Sequence, residues 1–331
     1  MTNRLDLFIS NTQTMSKEFK WQESMTRRLA ALIYAQEGKQ VAPESIRRCQ
    51  EIIKKNTGIF STFRGNMALC IATLLSLTPN PQELFADTLK VYDLLKSVKL
   101  RASDFLVIAA FEIAKQANTT DFAKIAERTR AFYDGMKSNR FFATGEDDYI
   151  FAAMLALSDL DVTSGIERVE RINARLRGEF SDKNSVQHLS QVLVLGGSDE
   201  NVACRVLALR DSLRQQKIKL DKTETLSSLG ILALLPVEID TIVRDIIEVQ
   251  SALRGQKGFG SLSVSTQELL LFAASIVASE YAQSTQDGVL TATVSTSITN
   301  IIIAQQAAMM AVMVAAYATM STTATTATTS S

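Results

Sequence analysis

The sequence predicts an all-α protein built from repeated helical hairpins, and three observations carry that prediction. The chain has only 14 glycines and 4 prolines among its 331 residues, too few breakers for the many turns of an all-β fold. Basic helix ends recur with a period of about 40 residues, within the range of helical repeat arrays. Each period holds one helix that is apolar nearly all round and one that is amphipathic. That is the division expected of a buried and a half-exposed partner.

The elements follow in order. Residues 1–10 carry Arg4 and Asp6 and no apolar run, so they do not read as a signal peptide. The segment 15–37, with Trp21, Met25, Leu29, Leu32 and Ile33, is predicted as an N-terminal capping helix. Hairpin repeats are predicted from about 43 to 285, five to six of them. "EIIKKNTGIF", "YDLLKSVKL", "FYDGMKSNRFF", "NARLRGEF", "DSLRQQKIKL" and "SALRGQKGF" close the amphipathic helices. Apolar helices such as "NMALCIATLLSL" and "DDYIFAAMLALS" follow them. In 121–136, Phe122, Ile125, Ala126, Thr129, Phe132, Tyr133 and Met136 recur at i, i+3 and i+4 spacing and define one buried face. Helix starts are marked by Asn80-Pro81-Gln82-Glu83 and by capping boxes at Ser164/Glu167, Ser265/Glu268 and Thr144/Asp147. Pro43 and Pro236 are expected in first turns. A helical repeat domain over 1–287 is thus followed by a tail over 288–331.

That tail holds no Asp, Glu, Lys, Arg or His. A helix is expected over about 298–320 and a disordered Thr/Ser end beyond it. Ala304, Ala308, Ala311, Ala315 and Ala318 fall at steps of four and three, the spacing of an association seam. Three readings stay open: a helix capping the last repeat, self-association, and a membrane anchor. Asn300, Gln305 and Gln306, with no flanking cation, weigh against the anchor.

Charge and cysteine usage narrow the function classes. Lys plus Arg and Asp plus Glu are each 35, without the basic excess usual in nucleic-acid binders. Cys49, Cys70 and Cys204 are scattered and odd in number, which suits a reducing cytoplasm rather than a disulfide framework. The single histidine, His188, has no carboxylate near it in sequence and reads as a helix-face residue. Glu146-Asp147-Asp148 reads as acids placed at a helix N-terminus. Gly255-Gln-Lys-Gly258-Phe-Gly260 lacks the preceding strand and the GK[ST] ending of a phosphate loop and reads as a turn. No catalytic, cofactor or metal residues are therefore expected.

The basic residues ending the amphipathic helices are Lys96, Lys99, Lys137, Arg140, Arg175, Arg214 and Lys217, with Lys54, Lys55, Arg177, Arg254 and Lys257 at equivalent places. Cations there complement the helix dipole. In stacked repeats they would also line one edge, suited to an acidic partner, a phosphate-bearing ligand or an anionic membrane.

The segment "KSNRFFATGEDDYIFAAMLALSD" (137–159), the length and the Ala/Thr-rich end resemble the domain of unknown function 4003 family, found mainly in Gram-positive bacteria. The resemblance implies no activity and no site residues. The function expected from these features is a non-enzymatic interaction or scaffold protein that self-associates or caps itself through its C-terminal helix. The alternatives are an anion-binding or membrane-peripheral protein using the basic edge and apolar tail, and an enzyme without a recognisable motif. The expected location is the cytoplasm, with the tail as a route to a membrane.

Overall fold

A computed structural model of the chain describes residues 2–64, 67–138, 144–197, 201–284 and 301–302. Among them are fourteen α-helices, one short 3₁₀ turn and no strand. The Ala304–Ala318 seam and Arg140 lie outside the described residues.

Seven hairpins follow one another. The first pairs α1 (Thr2–Glu18) with α2 (Ser24–Gln36), and the second α3 (Pro43–Asn56) with α4 (Met67–Ser76). The third pairs α5 (Pro81–Ser97) with α6 (Asp104–Gln116), and the fourth α7 (Phe122–Ser138) with α8 (Asp148–Leu157). The last three are α9 (Val162–Leu176) with α10 (Lys183–Leu195), α11 (Val202–Gln215) with α12 (Leu226–Leu234), and α13 (Ile239–Arg254) with α14 (Thr266–Ser284).

The even-numbered helices are the apolar ones, and the reason lies in their position. Every residue from Leu106 to Ala114 of α6 is buried, as is every residue from Asp148 to Ala156 of α8. A helix buried on all faces has no use for a polar stripe. The odd-numbered helices bury one stripe each, as in α7, where the seven predicted face residues are the seven buried ones. Gly135 and Gly165 let α7 and α9 approach closely. A Cβ on Gly135 would lie 2.0 Å from Ile166 Cδ1, and one on Gly165 would lie 2.8 Å from Phe132 Cε1.

The hairpins close into a ring. α2 packs on α4, α6 on α8, α8 on α10, α10 on α12, α12 on α14, and α14 returns to α2; α5 bridges α4 and α6. Outer helices α3, α5, α7, α9, α11 and α13 form a second layer, each against the next, while α1 reaches α14. The seam between first and last hairpins is specific. Phe8 packs against Phe259 and Phe272 at centroid distances of 5.5 and 5.2 Å. Arg4 donates to the Ser279 carbonyl at 2.5 Å and Arg28 to the Gly258 carbonyl at 3.2 Å.

Several local expectations change. The helix predicted over 15–37 is two helices: the chain turns at Lys20–Glu23, so that Phe19 and Met25 are both buried while Trp21 is 90% exposed. Residues 2–18 thereby supply an outer helix that hydropathy alone did not reveal. Helix α9 is capped by Asp161, which accepts from the Thr163 and Ser164 amides, so Ser164 lies inside the helix. Asp147 makes no side-chain cap to α8. Pro43 opens α3 as expected, whereas Pro236 precedes α13. The Ser265/Glu268 box forms reciprocally, at 2.7 and 3.1 Å. From the tail, Ile301 and Ile302 are helical, buried and part of the continuous core.

Candidate functional site

Each hairpin returns the chain to its starting side. All outer helices therefore run one way, and their C-termini share one rim of the ring with the N-termini of the inner helices. The loops after α1, α3 and α13 also lie there.

Two kinds of surface meet on that rim. The first is basic. Lys99 ends α5 and Lys217 ends α11, both with positive φ, 68° and 61°. The following amides reach back five residues, Leu100 to the Leu95 carbonyl and Ile218 to the Leu213 carbonyl. This is the Schellman geometry, in which glycine is the usual residue. Lys137 stacks over the Tyr133 ring at 5.6 Å. Lys99, Lys137 and Lys217 are exposed, and no ion pair involves them among the described residues. Other predicted members are partly neutralised: Lys96 pairs with Asp93 at 3.0 Å and Arg214 with Asp221. Arg254 is spent on the turn before α14, donating to the Phe259 and Val264 carbonyls at 2.9 Å. Arg175 sits in the last turn of α9. The Gly255–Gly260 segment is that α13–α14 turn, with Gly258 at φ 89°.

The second surface is apolar and was not foreseen. The large hydrophobics exposed among the described residues are Trp21, Ile59, Phe60, Leu262 and, on α13, Ile247. Trp21, Ile59, Phe60 and Leu262 are 90, 73, 96 and 103% exposed and lie in the rim loops of hairpins one, two and seven. Ring closure makes these three hairpins neighbours. The only sequence signal was their place in turns between helices, where a large apolar side chain has no core to enter.

A polar cluster lies on the same rim between α8 and α10. Asp148, wholly buried, accepts at Oδ1 from Gln187 Nε2 and Gln191 Nε2, each at 2.7 Å, and at Oδ2 from the Gly145 amide at 2.9 Å. Burial pushes its carboxyl above the usual range, opposed by His188, Gln191 and the Gly145 N–H. Asp147 Oδ2 accepts from Asn184 Nδ2 at 2.8 Å. His188 Nε2 stands 3.4 Å from Asp147 Oδ2 and 3.6 Å from Asp148 Oδ1. Its ring lies 5.2 Å from that of Phe151. Asp182 caps α10 from the Ser185 amide, and these hydrogen bonds hold its carboxyl below the ordinary value.

Reading the sequence locally, His188 has no acidic neighbour. Read through the repeat, it has two: one period of about 40 residues carries position 148 onto 188. Adjacent inner helices pack at equivalent positions, so the preceding repeat supplies the carboxylates.

The family model described as "Protein of unknown function (DUF4003)" matches residues 11–307. No curated protein and no solved structure matches the chain. Among the described residues, no helix is long and apolar enough to cross a membrane.

Proposed function

The chain belongs to the DUF4003 family, and from the rim we propose a function for it: a non-enzymatic interaction protein that docks on an anionic lipid surface. The observation that carries this reading is that exposed Trp21, Ile59, Phe60 and Leu262 gather on the rim that also presents Lys99, Lys137 and Lys217. Apolar tips flanked by cations are the chemistry of interfacial binding. Each tip that enters the acyl boundary contributes about 1.5–3 kcal/mol. Each lysine close to anionic headgroups adds about 1 kcal/mol.

Backbone strain supports the same reading. A non-glycine residue in the left-handed region costs about 1–2 kcal/mol, yet two equivalent helix ends keep lysine there. Such a cost retained at an exposed site points to a use for the side chain.

Trp21 is the single tryptophan and reports directly on docking. Its emission should shift to the blue with phosphatidylglycerol vesicles and stay unchanged with phosphatidylcholine vesicles. The shift should weaken with salt. Reversing Lys99, Lys137 and Lys217 to Glu should reduce affinity by at least about two orders of magnitude, from about 1 kcal/mol lost per lysine before any repulsion by the new carboxylates. Lys99→Gly and Lys217→Gly should each raise folding stability by about 0.5–1 kcal/mol while weakening docking. Equal binding to both vesicle types, or binding untouched by charge reversal, rejects the reading.

A further inference from the structure

Independently of how the rim docks, the cluster between α8 and α10 has the geometry of a cation site. We propose that Asp147, Asp148 and His188 bind a divalent first-row transition ion, zinc or manganese, through Asp147 Oδ2, Asp148 Oδ1 and His188 Nε2.

The spacing of the three atoms is the first argument. One ligand atom from each of the three residues lies within 4.8 Å of the other two, and His188 Nε2 is 3.4 Å from Asp147 Oδ2 and 3.6 Å from Asp148 Oδ1. Those distances are too long for N–H···O hydrogen bonds, which run ~2.7–3.2 Å. They suit three ligands sharing one ion. A point equidistant from such atoms lies no more than about 2.4 Å from each, close to the ~2.0–2.2 Å of zinc–nitrogen and zinc–oxygen bonds.

The second argument is unspent polarity. His188 Nε2 is buried and makes no hydrogen bond. Gln187 and Gln191 are wholly buried and converge on Asp148 through their Nε2 atoms, yet neither Oε1 has a partner; nor has Asn184 Oδ1. Buried polar atoms are nearly always satisfied, and four orphans within one small cluster call for a missing partner. Rotating either glutamine amide by half a turn replaces a donor to Asp148 by an oxygen facing the same space, a fourth ligand of the right type.

The third is the donor set: two carboxyl groups, one of them wholly buried, and a single imidazole come together at one place. An imidazole with carboxylate and amide oxygens fits borderline first-row ions better than calcium, which takes oxygen ligands only, or soft ions, which prefer thiolate. The free cysteines are not part of the site.

The test uses the full chain, stripped with EDTA, titrated calorimetrically with zinc chloride and with manganese chloride. One ion should bind per chain at low micromolar dissociation constant or tighter, and the unfolding temperature should rise. His188→Gln and Asp148→Asn should each weaken binding by at least ~10-fold. Thermal unfolding in EDTA confirms that each variant is folded; His188 is partly exposed, so His188→Gln decides the matter if Asp148→Asn does not fold. Cobalt-loaded protein should show ligand-field bands without thiolate charge transfer, separating this site from adventitious binding at the exposed Cys204. No binding by the wild-type chain at about 100 µM of either ion overturns the proposal. So does binding that both variants retain.

Discussion

Glu112 shows how one residue sets a pH dependence. It is wholly buried on α6; Gln116 Nε2 donates to its Oε2 at 2.8 Å, and its Oε1 has no partner. Burial raises its carboxyl above the ordinary value, with Lys115 and Gln116 acting weakly the other way. A carboxyl raised on folding favours the folded state while it stays protonated. The contribution is complete below the unfolded pKa of about 4.3 and is lost as pH rises through the higher folded value. Glu112→Gln removes that loss. The variant should match wild type near pH 4 and exceed it by about 1–3 kcal/mol at neutral pH, the usual range for a poorly satisfied buried group. Urea unfolding at several pH values measures the gap, and a gap that does not widen with pH rejects the account. Neither this residue's isolation nor the partners of His188 can be read from neighbours in sequence. Both depend on what the next helix brings.

At the scale of elements, two arginines reveal how the hairpins are tied. Arg128, on α7, donates to the carbonyls of Ala156, Ser158 and Leu160 at the end of α8. Arg205, on α11, donates to those of Ala233, Leu235 and Val237 after α12. The offsets are identical, so one device closes two different repeats. Helix C-termini leave carbonyls without partners, and a guanidinium fork satisfies several at once. Arg128→Ala and Arg205→Ala should each cost about 2–3 kcal/mol, from charge-assisted bonds of roughly 1.5–3 kcal/mol reduced by partial exposure. Lysine should not restore the loss, since it lacks the planar fork. Chemical denaturation decides, and a lysine variant as stable as wild type would count against the fork. Helix types and most faces were legible here, because periodicity records burial directly. Caps were legible where acid and hydroxyl lie three apart and nothing competes, as at Ser265/Glu268. At Ser164/Glu167 the rule misled, because Asp161 three residues earlier is the better acceptor.

Closure belongs to the whole molecule. Phe8, near the first residue, lies on Phe259 and Phe272 near the last described helix. The wholly buried Phe8 ring should cost about 3–5 kcal/mol when cut to Ala. If the seam cooperates, Phe8→Ala and Phe272→Ala should couple by about 0.5–1.5 kcal/mol, the value of a packed aromatic pair. A double-mutant cycle in guanidinium measures this, and strict additivity would show that the ends fold independently.

The sequence by itself determined the helices, their alternation of buried and half-exposed faces, and the period that joins them. These follow from side-chain polarity within one or two turns, which is local information. Only the tertiary structure decided that the array closes, that residues 2–18 form the seventh outer helix, and that Asp147, Asp148 and His188 meet. It also gathered Trp21, Phe60 and Leu262 on one rim. Closure and convergence depend on the summed angles between successive hairpins, and no single segment of the chain encodes that sum.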